Sequence, residues 1–131
     1  MDMETLIQKA MEAREYAYAP YSGFMVGAAL ECGDGTVYTG CNIENASYTP
    51  TNCAERTAFF KAVSEGKREF RRIAILGGPR EGLTDLSPCG VCLQVMAEFC
   101  DPDKFEIIMA KSGTEYIRKT LGELLPLRFS L

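Results

Sequence analysis

Histidine is absent from this chain, and so is tryptophan. Without histidine, no metal site in the chain has an imidazole ligand. Also missing is any apolar stretch approaching the roughly 20 residues that cross a bilayer, which excludes a membrane-spanning helix and a membrane partner. Positive charge is not in excess: 14 Lys and Arg against 18 Asp and Glu give a formal charge of −4. A protein that holds a nucleic-acid backbone must neutralise several phosphates, so a polynucleotide partner is excluded and any nucleotide-like partner is small. Met1-Asp2-Met3-Glu4 has neither the basic nor the apolar region of a secretory signal, which makes a cytoplasmic location the expectation. No repeat, low-complexity tract or linker divides the sequence, and 131 residues are the size of one domain, 1–131. A core of that size forms without disulfide staples. The six cysteines therefore read as thiols or metal ligands.

What is present has the periodicity of a compact α/β unit. Leu6, Ile7, Ala10, Met11 and Arg14 recur at helical spacing, and the segment around Pro20 ends a first helix spanning 3–17. Two short β-prone runs, 24–30 and 36–41, flank Gly33-Asp34-Gly35 and read as a hairpin. A polar loop leads to a second helix over 53–66, with a stripe of Ala58, Phe59, Ala62 and Val63. A buried strand over 72–76, a third helix over 89–99 and a strand over 105–110 follow. That order predicts a mixed sheet with helices packed on its faces, joined by right-handed crossovers.

The chemistry concentrates where two of these helices begin. Cys89 and Cys92 stand one helical turn apart at the start of the third helix, where the helix dipole favours thiolates that share a tetrahedral metal. Cys53, at the start of the second helix, would be a third ligand. Three protein ligands leave a position for water, as in a catalytic zinc site, whereas a structural site is closed by four. Taken alone, the Cys-x-x-Cys pair also reads as a buried pair or a redox dithiol. Glu55, two residues after Cys53, is a candidate proton shuttle, although a Glu in a first helical turn ordinarily complements the dipole.

Several long motifs, in order, resemble the small homotetrameric cytidine deaminases. They are Pro20-Tyr21-Ser22-Gly23-Phe24, Val26-Gly27-Ala28-Ala29-Leu30, Gly40-Cys41-Asn42-Ile43-Glu44-Asn45-Ala46-Ser47-Tyr48, Cys53-Ala54-Glu55-Arg56, Pro88-Cys89-Gly90-Val91-Cys92 and Glu123-Leu124-Leu125-Pro126. The resemblance implies a three-layer α-β-α sandwich with a mixed central β-sheet and one Zn²⁺ per subunit on Cys53, Cys89 and Cys92. It implies hydrolytic deamination of cytidine and deoxycytidine, in which zinc activates water, Glu55 takes its proton and passes it to ring N3, hydroxide attacks C4, and Glu55 next protonates the amine as it leaves. Backbone groups near Ala54 and the Ser87-Pro88-Cys89 turn would hold the pyrimidine edge. Asn42 and Glu44 would grip the ribose, Phe24 would stack on the base, and Tyr21 and Tyr48 would stand near the sugar. Phe129 would reach into a neighbouring subunit's site.

Bland readings stand beside these: loop capping for Asn42, solvation for Glu44, core packing for Phe24 and a frayed tail for Phe129. A carboxylate beside the sugar repels a 5′-phosphate, and no Gly-rich phosphate loop with a Lys follows a strand, so a free nucleoside is expected. The chain departs from the family pattern at Leu93, where an arginine is usual. That leaves Arg56 as the motif arginine available to offset the charge of three thiolates. The alternatives are a deaminase of another aminated nucleoside, such as an antibiotic, and a structural zinc protein in which Cys32 or Cys41 closes a four-thiolate site. Otherwise Cys32, Cys41 and Cys100 are assigned to packing.

Overall fold

The computed structural model describes all 131 residues. Helix α1 (Met3–Arg14) starts at Asp2, whose side chain accepts from the Thr5 amide, and it buries Leu6, Ile7 and Ala10. Strands β1 (Phe24–Cys32) and β2 (Val37–Cys41) form the antiparallel hairpin, turning where Gly35 takes a φ of 90° that side chains disfavour. Helix α2 (Ala54–Ser64), strand β3 (Phe70–Pro79), helix α3 (Gly90–Phe99) and strand β4 (Glu106–Ala110) follow. The chain ends with strand β5 (Tyr116–Thr120) and the short helix α4 (Leu121–Leu124). Strand order is β2-β1-β3-β4-β5, and β3 with β4 is the one parallel pair, joined through α3 as parallel strands require.

Two apolar layers lie on opposite faces of this sheet. On one, Leu6, Ile7 and Ala10 of α1 meet Ala29, Ala74, Leu76 and Ile108; on the other, Ala58, Phe59, Leu93 and Met96 of α2 and α3 meet Leu30, Ile73, Ile75 and Ile107. This is the three-layer α-β-α arrangement with a mixed sheet. Phe59 anchors α2 at the ring cluster, with its centroid 5.0 Å from Phe70, 5.9 Å from Phe105 and 6.5 Å from Phe99. No helix is long and apolar enough to cross a membrane.

The structure differs from the sequence-based expectation at the edges of elements. Helix α1 stops at Arg14 rather than residue 17, and β3 runs from Phe70 to Pro79, longer than the apolar run that marks its centre. Strand β5 was not expected. It is an exposed edge strand carrying Arg118 and Lys119, which protect an open edge but erase the apolar alternation that reveals a strand.

Helix α2 lies unusually close to β2 because Gly40 has no side chain: a Cβ there would stand 2.4 Å from the Ala54 carbonyl oxygen and 2.7 Å from the Ala58 nitrogen. Those are backbone atoms of the helix that begins at Cys53, so they cannot swing aside. Gly40→Ala is expected to cost about 1–3 kcal/mol of stability, measured by denaturant titration, and to loosen zinc retention as α2 is pushed outward.

Candidate metal centre and adjoining cavity

The two helix N-termini converge. Cys53 is the N-cap residue of α2 and Cys89 that of α3, and Cys92 lies in the first turn of α3, its amide donating to Cys89 Sγ at 3.5 Å. The three sulfurs lie within 4.8 Å of one another, with Cys53 and Cys89 Sγ 3.8 Å apart. Tetrahedral zinc at about 2.3 Å from each sulfur sets its ligands about 3.8 Å apart, so this donor set fits zinc in both chemistry and spacing. Cys32, Cys41 and Cys100 lie outside the cluster, which removes the basis for a four-thiolate site.

Positive potential at the cluster comes from two helix dipoles and Arg56, whose Nη2 donates to Cys53 Sγ at 3.2 Å. The neighbouring Cys92 thiol, burial notwithstanding, and then Arg56 hold the Cys53 thiol below the usual thiol range. Leu93 is buried in the apolar core beside Met96, where it packs.

Glu55 is 3% exposed, and burial pushes its carboxyl up to about 7. A carboxyl poised near neutrality both accepts and donates a proton under physiological conditions. It lines a cavity of about 180 Å³ together with Cys53, Cys89, Ala54, Asn42 and Ser87. Thr51 lines this cavity and also a wider depression of about 410 Å³ whose walls include Glu44, Tyr21 and Tyr48. Tyr48 holds a φ of 64°, uncommon for an aromatic residue, on the rim of that depression.

Asn42 and Glu44 are more committed than their spacing suggests. The Asn42 amide accepts from the Val26 amide at 2.9 Å and donates to the Phe24 carbonyl at 2.7 Å, which leaves one donor hydrogen and one lone pair free. Glu44 accepts from the Tyr21 and Ser22 amides and from the Ser22 hydroxyl, and the Ser22 bond foremost holds its carboxyl below the usual range.

The structure thus brings Cys53, Cys89, Cys92, Ala54, Glu55, Arg56 and Asn42 together and places Glu44 and Tyr48 next door. Phe24 lines neither space and packs against the core. Phe129 is exposed and lies outside both, its carbonyl accepting from the Gln94 side chain at 3.1 Å. Thr51, Asn52 and Leu86 line the cavity without having been singled out from the sequence; the only signal was adjacency of the first two to Cys53.

A family model described as the cytidine and deoxycytidylate deaminase zinc-binding region matches residues 1–109. The chain is 52% identical over 130 residues to a cytidine deaminase of Sporosarcina psychrophila, covering 99% of this chain and 93% of that protein. It is 49% identical over 130 residues to a cytidine deaminase of Halalkalibacterium halodurans, covering 99% and 96%. A crystal structure of a cytidine deaminase from Burkholderia pseudomallei superposes with a TM-score of 0.89 at 47% identity, covering 98% of this chain and 100% of that one.

Proposed function

The chain belongs to the cytidine and deoxycytidylate deaminase zinc-binding family, and from that premise we propose that it is a zinc-dependent hydrolase converting cytidine and deoxycytidine, with water, to uridine and deoxyuridine plus ammonia, as in pyrimidine salvage. The observation that carries this reading is the buried Glu55 carboxyl in one small cavity with Cys53 and Cys89, whose sulfurs converge with that of Cys92. Cys53, Cys89 and Cys92 would hold the metal. Zinc, when bound, supplies the Lewis acidity that makes a water molecule nucleophilic near neutral pH.

Glu55 would take one proton from the attacking water and deliver it to ring N3 as the C4–O bond forms, then take the second from the C4 hydroxyl and pass it to the amine, so that the C4–N bond breaks, the carbonyl forms and ammonia leaves. One carboxyl serves both transfers because burial keeps it near neutrality. The Ala54 backbone and Ser87 border the pyrimidine edge. Asn42 offers its remaining donor to the ribose, with Glu44 and Tyr48 beyond it. Arg56 offsets thiolate charge. The working picture is one deaminase domain over residues 1–131 in the cytoplasm.

The substrate test separates nucleoside from nucleotide. Glu44 stays ionised beside the sugar depression, so we expect cytidine and deoxycytidine to be consumed and cytidine 5′-monophosphate to react at least about tenfold more slowly in kcat/KM. Equal use of the monophosphate would overturn the nucleoside assignment; preference for another aminated nucleoside would move the substrate but not the chemistry.

A homotetramer is the assembly we propose. Exposed Tyr48, Val91, Leu127 and Phe129 support it, as apolar side chains that a lone protomer leaves in water. Deleting residues 129–131 is then expected to raise KM severalfold without unfolding the protomer. Full activity from a sample shown to be monomeric by sedimentation would contradict the assembly.

A further inference from the structure

Arg14 ends the apolar stripe of α1, a position where a charged side chain has no obvious place. Its guanidinium is half-buried, and no carboxylate lies within ion-pair distance. Instead it faces carbonyls. Nε donates to Met25 O at 2.9 Å, and Nη2 is shared among Gly78 O at 3.0 Å, Pro79 O at 2.5 Å and Gly82 O at 3.1 Å.

These acceptors belong to two segments that meet at one end of the sheet. Met25 pairs with Gly78 and Phe24 with Pro79 in the β1–β3 register, and Gly82 belongs to the loop folded back over the end of β3. That loop is tight. A Cβ at Gly78 would stand 2.4 Å from Gly82 O, and the Thr84 amide returns to Gly77 O at 2.9 Å. The approach of Arg14 depends on Gly27, where a Cβ would stand 2.9 Å from Arg14 Cβ and 2.7 Å from its nitrogen.

Both segments lead directly into the cavity. Val26 follows Met25, while Leu86 and Ser87 follow the clamped loop, and all three line the space that Glu55 and Cys53 share. We infer that Arg14, acting from the far face of the sheet, is a positioning residue for substrate binding: its planar fork fixes the two backbone segments that carry one wall of the nucleoside cavity. This rests on the proposed reading of that cavity. Nothing in the clamp touches Glu55 or the α2 end of the metal cluster, so the effect falls on binding more than on the chemical step.

The test uses Arg14→Lys and Arg14→Met in the full chain. Steady-state kinetics with cytidine are expected to show KM raised by about ten- to a hundredfold, with zinc stoichiometry unchanged and kcat within a few-fold of wild type. Lysine keeps the charge and the stem but cannot span four carbonyls, so it should not rescue KM. Amide exchange across residues 80–87 should accelerate in both variants.

KM within about twofold of wild type in both variants, or rescue by lysine, would overturn the inference. So would parallel losses of zinc, kcat and KM, or failure of both variants to fold, since Arg14 would then be a general scaffold residue. Unchanged exchange at 80–87 would overturn it without any turnover, whereas a wild type that does not consume cytidine would defeat the proposed function instead.

Discussion

Glu55→Gln is expected to bind zinc at full stoichiometry and to lose about 10²–10⁴-fold in kcat, the usual contribution of a general acid–base. Shape is preserved by the amide, and Glu55 is not one of the three clustered sulfur donors, so the metal should be untouched. What disappears is the group that can hold a proton near neutrality, on a residue only 3% exposed to solvent. Two transfers depend on it, one proton from water to N3 and a second from the C4 hydroxyl to the amine, and no histidine exists to stand in. Kinetics paired with metal analysis decide the matter. A variant retaining more than about a tenth of wild-type kcat would show that the proton moves by another route.

Cys92→Ser is expected to release zinc and to abolish turnover. Cys92 is the buried member of the trio, so its substitution removes one of three ligands, while the backbone amide of residue 92 still donates to Cys89 Sγ. Changes merely adjacent to metal ligands cost about 10–100-fold in affinity, so removing a ligand should cost more than about a hundredfold. Because folding is what gathers the three sulfurs, zinc should favour the folded chain and chelation should lower the wild-type Tm; saturation at about a thousand times Kd contributes up to about 4 kcal/mol. The same chelator should leave the Tm of Cys92→Ser unchanged. Wild-type zinc affinity in Cys92→Ser would remove that thiol from the site.

How much of this was legible in the sequence depended on whether partners were near in the chain or recognisable by type. Cys53, Glu55, Cys89 and Cys92 were legible because helix starts fix side-chain direction within one turn. The helix that bears Cys53 and Glu55 was legible from the stripe around Phe59, and the one that bears Cys89 and Cys92 from the Ser87-Pro88 turn that opens it. Arg14 was visible as a periodic position but not as a clamp, since its acceptors are backbone carbonyls contributed by residues up to 68 positions away, and a carbonyl carries no sequence signature. Asn42 was read for its side-chain chemistry, while half of that chemistry is spent continuing the hydrogen bonding of β1. Strand β5 escaped because edge protection and alternation make opposite demands on the same five residues.

The most direct measurement is turnover itself: zinc-loaded, folded wild-type protein is mixed with cytidine while cytosine absorbance, uridine and ammonia are followed together. We expect absorbance to fall as uridine and ammonia appear in equal amounts. A fully metallated, folded sample that yields neither product would contradict the assignment of this cavity as a cytidine-deaminating site.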